Sequence, residues 1–194
     1  ANWQGSVIKA DTLAAALASN NVTVLTSNDG SELGNIVVSS ALAWTSGNEL
    51  TLNAHNNIAI NSTIDAAAGN GKLALRYGQG SANGGSAIYE VNAPINLSSA
   101  GSFTTQKGNT GTDIVYTIID SLGASGSTTG TDLQGMQAST ALSGNFVLGA
   151  NIDASATANW NSNQGFGPIG SNGARFAGRF NGLGHSISGL KINR

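Results

Sequence analysis

The sequence predicts an all-β fold, a β-solenoid with one or two short helices. Three observations predict it: short segments with alternating apolar side chains, glycines and small polar residues between them, and few charges. Only 9% of the residues are charged while 40% are hydrophobic, whereas a typical globular domain has about 25% charged residues. A chain with this balance can build a core from short strands, and it lacks the composition of a disordered protein.

Strand-like segments recur along the chain. Leu50, Leu52 and Ala54 occupy alternate positions, and Ile58 and Ile60 repeat the pattern, which is typical of strands with one buried face. Turn motifs such as Gly-Asn-Gly and Asn-Gly-Gly separate the segments, because these residues tolerate positive φ. The predicted strands cover 21–26, 35–39, 49–54, 57–61, 72–77, 87–91, 94–97, 113–119, 145–148, 176–180, 185–187 and 190–192.

Strands of this kind fit a solenoid, a sandwich or a barrel, and two features favour the solenoid. Similar apolar phrases recur at short intervals, as stacked coils would produce. In 50–54 and 57–61, asparagine follows the inward apolar pair. We expect such an asparagine to lie at a corner and to hydrogen-bond its equivalent in the next coil. A sandwich of hairpins is the alternative.

Two segments interrupt the strands with helical signals. Residues 11–19 begin with Asp11 as a plausible N-cap and continue with leucine and alanine at helical spacing, and residues 131–137 have a similar form. A strand is predicted after each of them. This order predicts an approximate internal duplication of a helix-then-strand unit, covering 7–100 and 115–194.

Composition excludes several classes of function. With eight scattered Lys and Arg residues and a net charge of −2, the chain cannot neutralise a run of phosphates, so no nucleic-acid partner is predicted. No apolar run approaches the ~18 residues of a membrane span, so no membrane insertion is expected. Cysteine is absent, and the two histidines, His55 and His185, stand far apart. We therefore predict no metal site and no cofactor.

Several phrases resemble a known family. They are Ala10-Asp-Thr-Leu-Ala-Ala-Ala-Leu, Leu50-Thr-Leu-Asn-Ala, Asn57-Ile-Ala-Ile-Asn and the glycine-rich Phe176-Ala-Gly-Arg-Phe-Asn-Gly-Leu-Gly-His. Together they resemble the filamentous-haemagglutinin-like adhesins of bacterial two-partner secretion. The resemblance implies a right-handed parallel β-helix, with 1–194 forming a single solenoid segment of a larger protein. It also implies an outer-membrane transporter as the secretion partner and a secreted or cell-surface location.

The resemblance implies a structural function: a segment of an adhesin shaft, a rigid rod that carries a binding tip away from the cell. A carbohydrate- or receptor-binding module within such an adhesin is one alternative, with a host-cell glycan, a host receptor or a biofilm polysaccharide as partner. A β-helix polysaccharide-active enzyme is the other. No Asp-Asp doublet is present, so we predict no catalytic residues and no enzymatic activity, although stacking could bring Asp120 and Asp153 together.

The aromatic residues give the candidate ligand site. Trp160 lies in a polar loop and could present its ring to a sugar, so it is the candidate ligand-binding residue; loops 79–86 and 155–173 are the candidate binding loops. In the alternative interpretation, the aromatic rings fill the solenoid interior or stack between coils. That interpretation applies to Phe166, Phe176, Phe180 and Trp44.

Three Asn-x-Ser/Thr sequons mark candidate glycosylation sites, at Asn21, Asn61 and Asn96. Some adhesins of the resembled family are modified at such sites. In a chain so rich in asparagine and threonine, the three sequons also fit a chance origin.

Overall fold

The computed structural model describes residues 5–28 and 32–193. These ranges are mostly sheet with a single α-helix, α1 (Ala10–Leu17), which confirms the all-β prediction. Two short 3-10 helices cover Gln134–Gln137 and Ser155–Asn159. The strands are β1 (Val22–Leu25), β2 (Ile36–Val38), β3 (Leu42–Ala43), β4 (Glu49–Asn53), β5 (Ile58–Ile60), β6 (Ile64–Asp65), β7 (Lys72–Tyr77), β8 (Tyr89–Val91), β9 (Ile95–Asn96), β10 (Ser102–Lys107), β11 (Ile114–Ile119), β12 (Asn145–Leu148), β13 (Ile152–Asp153), β14 (Arg179–Asn181) and β15 (Ile187–Ser188).

The first nine strands repeat in units of three. β1, β4 and β7 pair in parallel, as do β2, β5 and β8, and β3, β6 and β9. Each strand therefore lies beside its equivalent in the next unit, so that three parallel ladders run along the stack. We call residues 22–96 the three-unit stack.

The chain reverses direction after the three-unit stack. β10 pairs in parallel with β7, and a turn that begins at Gly108, with φ of +76°, sends the chain back as β11, antiparallel to β10. β12 and β14 then continue in parallel with β11. The result is one seven-stranded sheet in the order β1-β4-β7-β10-β11-β12-β14. We call residues 114–188 the second region.

Aliphatic side chains fill the three-unit stack in register. Leu50 lies beside Leu73, which in turn lies beside Phe103 on β10. All three are at most 1% exposed. Burial of each such side chain stabilises the fold by about 1.5–3 kcal/mol. Because the strand pattern places every second side chain inward, equivalent apolar residues stack unit upon unit.

Helix α1 covers the core at the start of the stack. Its Leu17 is fully buried, and the Leu17 carbonyl accepts hydrogen bonds from the Ser46 hydroxyl and from Asn48 Nδ2, the latter at 2.8 Å. The N-cap is Lys9, two residues before Asp11, so the N-cap assignment of Asp11 was wrong. Asp11 lies in the first turn, where its negative charge interacts favourably with the positive end of the helix dipole.

The second predicted helix is replaced by a shorter 3-10 turn. Only Gln134–Gln137 is helical, because the preceding loop folds around the buried Asp132. That carboxylate accepts hydrogen bonds from the Ser127 and Thr129 hydroxyls, each at 2.7 Å, and from the Gly135 amide at 2.6 Å. These side-chain bonds compete with helical backbone bonds.

Most predicted strands are present, and the exceptions have physical reasons. Strands β3, β6 and β13 were not predicted, because each has two residues and is too short to show an alternating pattern. β10 was missed because most of its side chains are polar. The strand predicted at 190–192 was wrong, since Ile192 makes only an isolated bridge with Gly165. The proposed duplication of 7–100 and 115–194 stays a prediction.

The corner ladder predicted for asparagine is confirmed at Asn61 and wrong at Asn53, whose buried Oδ1 has no hydrogen-bond partner among the described residues. Asn61 follows β5 and Asn92 follows β8, and the Asn92 Nδ2 donates to Asn61 Oδ1 at 2.8 Å. In the neighbouring ladder, the Asn96 Nδ2 at the end of β9 donates to Asp65 Oδ2 at the end of β6, at 3.0 Å. Side chains at equivalent corners therefore reinforce the backbone ladders. Within the described ranges, no helix is long and apolar enough to cross a bilayer.

Candidate functional site

The candidate site lies where the three-unit stack meets the second region. The Ile95 amide donates to the Leu183 carbonyl at 3.0 Å, and the Leu97 amide donates to the Gly149 carbonyl at 2.9 Å. Segments from the second region thus continue the ladder beyond β9. Among the described strands none pairs with β8 on the side away from β5, and a cleft opens there.

All three tyrosines of the chain gather at this junction. Tyr77 ends β7 and Tyr89 begins β8, and their rings meet edge-to-face with centroids 5.3 Å apart. Tyr116 on β11 packs against Phe103, with centroids 5.4 Å apart, and its hydroxyl lies 3.4 Å from Thr105 Oγ1. Polar and aromatic groups therefore replace aliphatic ones where the stack of units ends.

We call the opening beside β8 the tyrosine cleft. It encloses about 440 Å³, within the range of ordinary small-ligand pockets. Two polar side chains join the tyrosines in its lining: Lys107, which is exposed, and Asn181, which is half-buried. The lining residues are Tyr77, Ala87, Ile88, Tyr89, Val91, Lys107 and Asn181.

Local structure positions the polar groups of the tyrosine cleft. Lys107 is the register partner of Tyr77, so both side chains lie on the same face of the sheet. The lysine stem passes over Gly84, where an added Cβ would lie 2.6 Å from Lys107 Cγ. Asn181, at the end of β14, donates from Nδ2 to the Tyr89 hydroxyl at 3.1 Å. Asn181 is thus contributed by the second region.

Burial raises the pKa of two tyrosine phenols in the cleft. Desolvation, followed by the proximity of Tyr116, raises the pKa of Tyr89 to about 12, and the hydrogen bond from Asn181 offsets part of this rise. Desolvation also raises the pKa of Tyr77, which the Arg179 guanidinium lowers in part. Both phenols carry their protons at neutral pH, and the Tyr89 hydroxyl is hydrogen-bonded within the protein, to Asn181 and to Tyr116.

A second groove of about 510 Å³ runs along the corner residues, and we call it the polar groove. Asp65 and Asp120 both line it, a convergence of carboxylates that the enzyme alternative requires. However, Asp65 accepts from the Ala67 amide and from Asn96, and Asp120 accepts from the Ser99 amide at 2.7 Å. These bonds give both carboxylates a structural role at the corners.

Asp153, the suggested partner of Asp120, belongs to a different environment. It does not line the polar groove. Its Oδ1 accepts from the Ser155 amide at 2.9 Å, and the hydrogen bonds from Ser155 lower the pKa of this exposed carboxyl. The prediction of no catalytic residues stays a prediction.

The two histidines occupy separate structural positions. His55 is half-buried, and its imidazole packs against Gly80. His185 lines the polar groove, and its Nε2 lies 2.9 Å from the Ile95 carbonyl oxygen. Within 5–28 and 32–193, no group of three or more His, Asp or Glu side chains is arranged to hold a metal ion.

Trp160, the predicted ligand-binding residue, lies away from the tyrosine cleft. Its ring is half-buried and stacks on Phe166 with centroids 6.4 Å apart. Phe166 and Trp44 are buried, as the interior interpretation expects, whereas Phe180 is 43% exposed. Trp160 stays a candidate ligand-binding residue in the loop 155–173, apart from the tyrosine cleft. Trp3, the other tryptophan, lies outside the described residues.

The three sequons differ in the state of the amide nitrogen that would carry a glycan. Asn21 and Asn61 are exposed, and their Oδ1 atoms accept hydrogen bonds from Glu49 and Asn92. Asn96 is half-buried, and its Nδ2 donates to Asp65. The described geometry therefore favours Asn21 and Asn61 over Asn96 as glycosylation sites.

A third groove, of about 300 Å³, is apolar and lies at the end of the second region. Leucine, methionine, isoleucine and phenylalanine side chains line it. Leu190 and Phe180, two of its lining residues, are 41% and 43% exposed. This end of the core is more open than the end that α1 covers.

Sequence reasoning missed the residues of the tyrosine cleft. Tyr77, Tyr89, Lys107 and Asn181 lie on four strands, and their proximity depends on the reversal at β10–β11. One signal was available, since tyrosine occurs only three times, each time within a strand. The candidate binding loop 79–86 ends next to Ala87, which lines the cleft. That loop therefore lies close to the site.

Comparison with known proteins yields one partial similarity. A segment of 67 aligned residues, 32% of this chain, is 48% identical to halomucin of Haloquadratum walsbyi. The matched segment spans about 1% of the length of halomucin. No family model matches the chain, and no solved structure matches it.

Proposed function

We propose that this chain is a structural shaft segment of a large surface adhesin, in which residues 22–96 form a right-handed parallel β-helix and the antiparallel pair β10–β11 ends the uniform parallel stacking. The observation that carries the proposal is the set of three parallel ladders in 22–96, in which each unit presents the same face to the next. Repetition of one unit along one axis is the simplest way to build a long rod. Secretion through an outer-membrane transporter and a cell-surface location belong to this proposal.

Three further features support a shaft. The aliphatic interior is continuous through the units, the corner asparagines add side-chain bonds along the axis, and few charges interrupt the chain. The similarity to a part of halomucin supports membership of a much longer protein. A rod of this kind has no need of a catalytic centre, so the proposal is non-enzymatic.

Single-molecule pulling on the two ends of the chain tests the shaft proposal. β1, β4 and β7 begin at residues 22, 49 and 72, so release of the first unit frees 49 − 22 = 27 residues, or about 90 Å of extended chain. We expect extension steps near this length. A single featureless extension at low force would contradict the proposal, because the units would then not act as stacked elements.

Carbohydrate binding is a second candidate function, favoured by the tyrosine cleft. Two phenol rings and an amide stand beside apolar side chains there, and sugar-binding sites combine apolar contact surface with a few oriented polar groups. A glycan array probed with the intact chain tests this function, with Tyr89→Ala as the variant. A panel without any bound glycan would exclude it.

A further inference from the structure

We propose that the tyrosine cleft binds an acidic glycan, with a sugar carboxylate held by Lys107. This inference rests on the second proposed function, carbohydrate binding, and names the class of ligand. It is argued from the charge of the lining, from the register that places Lys107, and from the donors that surround it.

The charge around the tyrosine cleft is positive. Lys107 lines it, and the Arg179 guanidinium is close enough to lower the pKa of Tyr77. None of the seven lining residues is acidic. Glu90 follows Tyr89 on β8 and is exposed, because alternation turns it to the opposite face of the strand. An anion entering the cleft therefore meets cations without a competing carboxylate.

Lys107 occupies an inward register position. Its partner Tyr77 follows Leu73 and Leu75, which face the core. Two residues before Lys107, the side chain of Thr105 is buried. The strand therefore places the Lys107 side chain on the face that lines the cleft. Among the described residues the one ion pair is Arg76–Asp113, so Lys107 has no carboxylate partner within 5–28 and 32–193.

The neighbouring groups suit a sugar better than a simple anion. The Tyr77 and Tyr89 rings and the Ile88 and Val91 side chains offer apolar surface to the C–H faces of a pyranose. The Tyr77 phenol and the second N–H of Asn181 Nδ2, whose first N–H bonds the Tyr89 hydroxyl, provide donors for sugar hydroxyls. A hexuronate combines these hydroxyls with one carboxylate, which matches a single adjacent ammonium.

The experiment measures binding of the intact chain to polygalacturonate, to neutral dextran and to heparin by calorimetry at fixed salt. We expect polygalacturonate to bind at least about ten-fold more tightly than dextran. Lys107→Gln should remove this preference. Lys72→Gln is the matched control: it removes an exposed lysine at the other end of the neighbouring strand β7, about 16 Å along the strand from Tyr77, and should change affinity less than two-fold.

The outcomes separate the two proposals. Equal binding of dextran and polygalacturonate would overturn the acidic-glycan inference and leave carbohydrate binding intact. Absence of binding to every polysaccharide would overturn both. Tighter binding to heparin, weakened equally by Lys72→Gln and Lys107→Gln, would indicate attraction to any polyanion and would also overturn the inference. Circular dichroism and the thermal midpoint of each variant establish that it is folded.

Discussion

The three-unit stack and the second region fill their interiors in different ways. In the stack, leucine and isoleucine side chains lie upon equivalent residues of the next unit, and short turns join the strands. In the second region, 25 residues separate β11 from β12 (120–144) and 25 separate β13 from β14 (154–178), against 3–11 between successive strands of the stack. The buried polar side chains of Asp132 and Gln134 lie in the first of these long connections.

The length of the connections between strands affects how the core is filled. A short connection returns the chain to the same register, so identical apolar positions meet. A long connection must satisfy its own backbone groups, and Gln134 does this for Gly167: its Nε2 donates to the Gly167 carbonyl at 3.1 Å, and its Oε1 accepts from the Gly167 amide at 2.8 Å. The amide side chain stands in for a neighbouring strand.

Removal of an aliphatic side chain from the stack should have the largest effect. Leu75 is fully buried, so Leu75→Ala should lower the free energy of unfolding by about 2–5 kcal/mol through lost burial and a cavity. Leu190→Ala, at a position 41% exposed, should cost less than about 1 kcal/mol. Urea denaturation measures both. Equal losses would contradict the contrast between the packed stack and the open end of the second region.

Loss of the Gln134 side chain tests the polar interior of the second region. Gln134→Ala leaves both the amide and the carbonyl of Gly167 without their present partners, and we expect a loss of about 2–3 kcal/mol. Gln164→Ala, at an exposed glutamine, is the control and should be nearly neutral. Hydrogen exchange should show the loss in 114–188 first. Unchanged stability would mean that water replaces the side chain.

Alkaline pH tests the junction between the two regions. The folded-state pKa of Tyr89 is about 12, against an ordinary value of 10.0. Folding therefore favours the neutral phenol: its stabilisation is fully present below pH 10 and is lost as the pH rises through 12. Tyr89→Phe should show a smaller alkaline loss of stability than the wild-type chain. Phenolate absorbance at 295 nm measures the titration directly, and a midpoint near 10 for Tyr89 would contradict it.

Glycosylation should have the smallest effect on stability. Its occupancy should nevertheless differ between the three sequons. An N-glycosyltransferase acting on the folded chain should modify Asn21 and Asn61 and leave Asn96 unmodified, because only the Asn96 nitrogen is held by a carboxylate. Mass spectrometry of the glycopeptides gives the occupancy of each site. Asp65→Ala should raise occupancy at Asn96. High occupancy of Asn96 in the unaltered chain would show that this corner opens readily.

The sequence by itself determined the all-β class, the position of most strands, the helix at the start and the asparagine contact at the Asn61 corner. These features depend on local spacing, since alternation, turn residues and helical leucines act over a few positions. The strands missed were those without such a signal: the two-residue corners and the polar β10.

Only the tertiary structure decided the reversal at β10–β11, the 3-10 turn at Gln134 and the tyrosine cleft. Antiparallel or parallel pairing of β11 depends on how its edge meets β10, and no local pattern encodes that choice. Tyr89 and Asn181 are 92 positions apart, and they meet because the reversed chain stacks against β9. A site formed by such distant strands is visible only when the register of every intervening pair is known.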